Sequence, residues 1–482
     1  MTDGHVLGSF DDQADVGRLR RPGLCSYDAE EQVYCLEGAG ANVWGVQDAF
    51  HYVWKRVAGN VLVSARADFL GAGVEPHRKL GWMLRSSLDA DAAHVSVCVH
   101  GDGLTALQFR RRAGAETEEL RSSVEAPDVI QLERQGSRVI MSVAHFGEPL
   151  HSEQHVEIDL GDEVYVGLFV CSHHEDVSEQ ALFRNVRVVI PARDEPAPAQ
   201  GSLGSHLEIL DLESGNRQIV YSSAQAFEAP NWTADGRALI YNSQGLLYRF
   251  DLSTRRPERI DTGFATRNNN DHVLSFDGSM LAISDHSADD EHHSIVYTLP
   301  VQGGTPQRVT RYGPSYLHGW SPDGRFLTYT GARNGEYNIY TISIDGGEET
   351  QLTTTPGLDD GPEYAPDGQY IYFNSTRSGT MQLWRMRPDG SAQEQLSDDE
   401  FNNWFPHISP DGQLIVFISY TQEVEPDRHP PYKRVYLRCM PVAGGTPRVV
   451  AYVYGGQGTI NVPSWSPDSK RVAFVSNSAM ES

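Results

Sequence analysis

The chain has 482 residues, too many for one hydrophobic core, so at least two domains are expected. Its formal net charge is −26, with 22% charged and 39% hydrophobic residues. An acidic surface of that size repels phosphate backbones and anionic headgroups, arguing against nucleic-acid and membrane partners, and it also keeps a large β-protein soluble.

The segment Met1 to Arg20 is polar and acidic, with no basic start leading into an apolar run, so it does not read as a secretory signal. No stretch reaches the roughly 18 apolar residues that span a bilayer. Cys25, Cys35, Cys98, Cys171 and Cys439 are scattered, without a CxxC pair, and read as buried thiols. Together these predict a cytoplasmic protein.

Strand-like runs follow at Val61–Phe69, Lys79–Ser86, His94–Val99, Thr105–Arg110, Val139–Ala144, Val164–Cys171 and Ala181–Ile190. Several alternate apolar and polar residues, as half-buried antiparallel strands do, and no run of helical period interrupts them. Residues 1–190 are therefore expected to form a β-sandwich. Residues 191–205, PARDEPAPAQGSLGS, read as a linker. The runs beginning at Lys79 and Ala181 resemble the concanavalin-like (laminin G-like) jelly-roll domains, a likeness extending over about Phe10 to Pro191.

Residues 206–482 carry a repeat. Asn231-Trp-Thr-Ala-Asp-Gly, Val273-Leu-Ser-Phe-Asp-Gly, Gly319-Trp-Ser-Pro-Asp-Gly, Glu363-Tyr-Ala-Pro-Asp-Gly, His407-Ile-Ser-Pro-Asp-Gly and Ser464-Trp-Ser-Pro-Asp-Ser place turn aspartates at Asp235, Asp277, Asp323, Asp367, Asp411 and Asp468. The first four steps have the length of a propeller blade, roughly 40 to 50 residues, and the last is stretched by a polar insert around Thr421 to Tyr432. In each repeat an inner strand runs into a Pro-Asp-Gly type turn, a very apolar second strand follows, and a Gly-rich turn leads to an outer strand. This pattern resembles the TolB-like β-propeller, a WD40-like repeat family. The last repeat has only two strands, and two orphan strands, His206–Leu212 and Arg217–Tyr221, follow the linker. The prediction is an all-β chain whose six-bladed propeller closes with two strands from each end.

The loops entering the inner strands should converge on one mouth of the channel. They carry Glu228, Asn270, Asp271, His272, Tyr316, His318, Asp359, Asp360, Glu363, Asn403, Trp404, His407 and Asn461. Such a set suits a polar ligand. His272, His318 and His407 with Glu363 are candidate ligands for a divalent metal (Mn, Zn or Ca), although each histidine can equally bond neighbouring backbone. The candidate catalytic groups are His272, His318, His407, Asp271 and Glu363, as general base or as an acid–base pair. Glu228, Asn270, Tyr316, Asp360, Asn403, Trp404 and Asn461 are the candidate substrate contacts, with Tyr316 and Trp404 able to stack on a sugar or to pack between blades. Arg333, Arg377 and Arg428 lie toward the same end. A second His/Asp tract, Asp285 to His293, falls in a hairpin, and Trp44, His51, Tyr52, Trp54, His77 and Arg78 are candidates for a lectin-like face.

No GxSxG elbow, Walker-type loop or dinucleotide fingerprint is present. The repeat is also similar to that of the oligogalacturonate lyases, a resemblance that implies channel histidines as metal ligands or as the base in a β-elimination. The Gln-x-x-His-x-His cluster of that family is not found. The expected function is binding and cleavage of an oligosaccharide or uronate in the channel. The alternative is a non-catalytic TolB-like scaffold that binds a protein or peptide.

Overall fold

The computed structural model describes residues 7–193 and 198–480; residues 194–197 of the expected linker, the first six residues and the last two lie outside the described residues. The chain divides into two compact units, up to Pro191 and from Ala192 onward. Among the described residues the only helical segment is the 3-10 turn Ala288–Asp290, and no helix is long and apolar enough to cross a membrane.

The first unit is two antiparallel sheets. One orders the strands Asp12–Val16, Gln47–Ala58, Glu163–Cys171, Lys79–Arg85, His94–His100, Thr105–Arg110 and Glu118–Arg121, with the short Asn42–Trp44 added against Gln47–Ala58. The other orders His151–Glu157, Arg138–Ala144, Val129–Gln135, Val61–Leu70, His174–Val189, Val33–Gly40 and Leu24–Asp28. Alternation decides which side chains face inward. Leu80, Trp82 and Leu84 from the first sheet share one core with Val61, Val63, Ile130 and Phe183 from the second. The far face of the first sheet is buried too, and it holds charge: Asp48 accepts Arg85 Nη1 at 2.9 Å and Arg110 Nη2 at 2.7 Å, all three fully buried. An ion pair so placed is tolerated because every charge is partnered.

The second unit is a ring of six blades. Five are four-stranded antiparallel meanders, beginning at the inner strands Glu228–Trp232, Asn268–Leu274, Ser315–Trp320, Asp359–Tyr364 and Asn402–Ile408, hereafter blades one to five. In blade six, Arg471–Ser478 pairs with Gly204–Asp211, which pairs with Arg217–Ser223; the inner segment before it touches the sheet through Trp465 and Val472. The two-plus-two closure read from the repeat is therefore what the chain builds, and it leaves the ring without an open break.

The repeat is explained by its turns. In blade three, Asp323 Oδ1 accepts Ser321 Oγ at 2.6 Å and Arg325 N at 3.1 Å, Ser321 Oγ accepts Phe326 N at 2.9 Å, and Gly324 takes φ +70°. The same Ser–Asp bond recurs at Asp277, Asp411 and Asp468, with Thr233 serving Asp235. The tryptophan of the motif ties blades together. Trp320 Nε1 donates to Val273 O and Trp465 Nε1 to His407 O, each at 2.9 Å across a blade boundary.

The strand that closes the ring is locked by a buried polar group. Glu208 accepts Arg217 at 2.9 Å and Ser476 Oγ, while Arg217 also donates to Tyr452 O.

Candidate functional site

The inner strands are not regular. Pairing breaks between Glu228 and Asn231, Asn268 and His272, Leu317 and Gly319, Asp360 and Glu363, and Trp404 and His407. These are bulges at one level of the ring, and Ala229, Gly361 and Phe405 sit in them at φ 55°, 63° and 55°. A bulge turns the neighbouring side chain away from the ladder, here into the channel mouth.

Counting back seven residues from each turn aspartate gives Glu228, Asn270, Tyr316, Asp360, Trp404 and Asn461. Five of the six line a cavity of about 1100 Å³; the exception is Trp404. Its ring is fully buried edge-on against His429 at 4.3 Å, and Phe405 takes its place at the cavity wall.

Blade two differs from the rest. Between Asn268 and His272 it advances four residues while its partner strand advances two, so two residues are extra. The other broken inner strands carry one extra. Since one residue reverses a strand's facing, Asp271 is exposed to the cavity beside Asn270, and His272 turns into the protein. His272 and His318 are both five residues before their turn aspartates, yet only His318 reaches the cavity.

At the centre lies a buried trio. His318 Nε2 stands 3.2 Å from Asp360 Oδ1, and its ring stacks on Phe405 at 5.8 Å. Asp360 Oδ1 also accepts Thr330 Oγ1 at 2.7 Å and Gly361 N at 2.8 Å. Burial opposes ionisation of Asp360, but the hydrogen bond and charge of His318 outweigh it and bring the carboxyl down to about 2. Burial would lower His318, and the bond to Asp360 with the charges of Asp271 and Asp360 raises it instead. Asp271 is pushed up to about 7 by burial, with His318 opposing and Asp360 adding. Glu228 is raised by burial against the pull of Gln200 Nε2 at 2.8 Å and Asn270 Nδ2 at 3.2 Å. The trio thus holds one cation and one anion, and a second ionised carboxylate there lacks a counter-charge.

Other expected residues serve the frame. His272 Nε2 donates to Ile240 O at 3.2 Å, and burial lowers it to about 4. His407 Nδ1 meets Glu363 Oε2 at 2.6 Å and its Nε2 donates to Ile460 O at 2.8 Å, while Glu363 Oε1 takes Ile408 N at 3.0 Å. Asn403 is buried among Gln382, Asp399 and Ser419. Asp359 is held by both oxygens to Arg377, and Arg333 is committed to Glu349. The metal set His272, His318, Glu363 and His407 is therefore not gathered. The bulge in blade two removes His272, and His407 lies one residue out of step with His318 and bonds across a blade boundary. Among the described residues only His77, His100 and Asp102, in the first unit, bring such ligand atoms within 4.8 Å of one another.

The cavity also uses residues that the sequence reading passed over. Asn242, Thr330 and Tyr337 come from the hairpins between second and third strands, and Asp427 and His429 from the insert in blade five. In an antiparallel meander those hairpins lie at the same end as the start of the inner strand, and that topological fact was the available signal. Glu228, Asp271, Asp360 and Asp427 line the cavity, and among the described residues no Lys or Arg does.

A model of the TolB β-propeller domain, the PD40 family, matches residues 318–427. The uncharacterised Agrobacterium fabrum protein Atu1656 is 47% identical over 276 residues, 57% of this chain and 93% of that protein. A solved structure from Agrobacterium tumefaciens, assigned provisionally to TolB, shares 46% identity over 58% of this chain and 100% of its own, with a TM-score of 0.56. Likeness to a manganese-bound oligogalacturonate lyase stands at 13% identity and a TM-score of 0.37 over 57% of this chain and 91% of that one, and carries no argument about activity.

Proposed function

From the premise that this chain belongs to the TolB-like β-propeller family, together with Atu1656, we propose that its channel mouth is a non-catalytic binding site for a cationic segment of a partner protein. The observation that carries the reading is the composition of the cavity wall among the described residues: four carboxylates, amides from asparagine, and neither lysine nor arginine. Buried carboxyls held above their usual range gain most from an incoming cation, which stabilises the ionised form that the protein alone disfavours. A lysine or arginine side chain, flanked by peptide groups for the asparagines, supplies that chemistry. A uronate would bring further negative charge to the same wall, which argues against the uronate part of the sequence expectation.

The test is calorimetric titration of the full chain with short peptides of matched length that are basic, neutral or acidic. The basic peptide is expected to bind, and Asp360→Asn with Glu228→Gln to weaken it by about tenfold or more, the scale of breaking a buried charged contact. Equal binding of basic and acidic peptides, or none of either, would reject the proposal.

Cleavage of a neutral oligosaccharide is a second reading, supported by one observation: Asp271, held near 7, faces the cavity beside the His318–Asp360 pair, as a general acid requires. New reducing ends from neutral oligosaccharides, lost in Asp271→Asn, would favour it over the binding reading.

A further inference from the structure

Far from the channel in sequence, the first unit gathers a different set of side chains. The strand His94–His100 turns through Gly101, Asp102 and Gly103 into Thr105–Arg110, and the loop carrying His77 runs alongside. Two backbone bonds strap loop and turn together: Gly101 N donates to Arg78 O, and Asp102 N to Pro76 O, each at 2.9 Å. His77 is thereby held beside the turn whichever rotamer it adopts. Its Nδ1 is 3.8 Å from Asp102 Oδ2, and its ring meets that of His100 edge-on at 5.9 Å.

The three residues divide their roles. His100 is 5% exposed and its Nδ1 is buried without a hydrogen-bond partner among the described residues. A buried ring nitrogen with nothing to bond is a cost unless something else occupies it. Asp102 Oδ1 accepts Leu104 N at 3.1 Å, which orients the carboxylate and leaves Oδ2 toward His77. The side chains of His77 and Asp102 are 52% and 39% exposed, so they can rotate.

We propose that His77, His100 and Asp102 form a binding site for a divalent transition-metal ion of the zinc class. Two imidazoles and a carboxylate are the donors such ions prefer, and oxygen-seeking Ca²⁺ or Mg²⁺ would be poorly served. Ligand atoms around a tetrahedral ion at about 2.0–2.1 Å lie roughly 3.3–3.5 Å apart. The observed separations, all within 4.8 Å, close to that by rotating the two exposed side chains onto the fixed His100. His173, whose ring is 5.7 Å from His77 and whose backbone stands at φ 58°, is next to the cluster and supplies a fourth protein donor if its ring turns inward. Lys79, on the strand beside His100, is held by Asn42 Oδ1, Val43 O and Gln108 Oε1.

Titration of the metal-stripped full chain with ZnCl₂, read by calorimetry and by elemental analysis after desalting, tests this. The expected result is one zinc per chain in the parent protein. Asp102→Asn should weaken binding by at least about tenfold, a loss that even the outer partners of metal ligands cause. His77→Ala changes an exposed residue, so folding is retained, and should abolish the bound equivalent. His318→Ala, in the channel, should leave it untouched. A parent that binds no zinc below about 100 μM, or a zinc equivalent that survives His77→Ala combined with Asp102→Asn, overturns the proposal. The outcome is independent of whether the channel takes a basic peptide.

Discussion

Replacing Asp271 by asparagine should make the propeller unit more resistant to alkaline pH. The carboxyl titrates near 3.8 when free and near 7 in the fold, where burial holds its proton. Between those values the folded chain binds more protons than the unfolded one, so stability falls as pH rises, and the loss is complete above about pH 7. From pH 5 to pH 8 the drop covers about 2 units of pH, which is about 3 kcal/mol at roughly 1.4 kcal/mol per unit. Asparagine keeps the shape and has no proton to lose. Its advantage over the parent should therefore grow by about 3 kcal/mol across that range. For a unit of roughly 290 residues, with an unfolding entropy of about 2.1 cal/mol/K per residue, this is a relative shift of about 5 °C. The assay is thermal unfolding of both proteins at pH 5 and pH 8, following the transition of the second unit. A difference in melting temperature that is the same at the two pH values would refute a buried, proton-holding Asp271.

His407→Ala takes the partner from Glu363 Oε2, leaving that buried carboxylate only Ile408 N, and frees Ile460 O, so a loss of about 3–5 kcal/mol is expected in denaturant unfolding, with basic-peptide affinity unchanged in the folded fraction. Gly361→Ala would place a Cβ 2.7 Å from Asn374 Oδ1 and 3.0 Å from the Phe405 ring at φ +63°, and should displace the adjoining Asp360. Peptide affinity should then fall together with thermal stability, and an unaltered melting temperature would show that the bulge is freely remodelled.

The blade count was open to reading because one turn chemistry recurs. Each Ser/Thr–Asp pair is local, within two residues, so the chain declares it without tertiary help. The cavity ring was half legible for a related reason. Glu228, Asn270, Tyr316, Asp360 and Asn461 stand at a fixed distance from those turns, and regular spacing carries them to the mouth. What failed was facing. Whether a histidine five residues before the turn points into the channel depends on how many residues the bulge absorbs, which is settled by pairing with the second strand. His429 and Asp427 were hidden because a polar insert has no periodicity to announce where it folds back. In the first unit, runs such as Lys79–Ser86 were visible by their apolar content. Gln47–Ala58 was overlooked because its buried Asp48 and His51 broke the expected alternation.

The closing blade sets a timetable for assembly. Its pairing joins Gly204–Asp211 to Arg471–Ser478, and Glu208 waits for Ser476, 268 residues further along the chain. Bringing such distant segments together costs about 5 kcal/mol of loop entropy before any contact of the pair is made. Throughout synthesis of the five intervening blades, the strand Gly204–Asp211 has one edge without its neighbour, and that edge is open to another chain. The nascent protein is therefore most prone to association in the interval before residue 471 leaves the ribosome, and the buried Glu208–Arg217 pair, awkward for any foreign strand to accommodate, protects it during that wait.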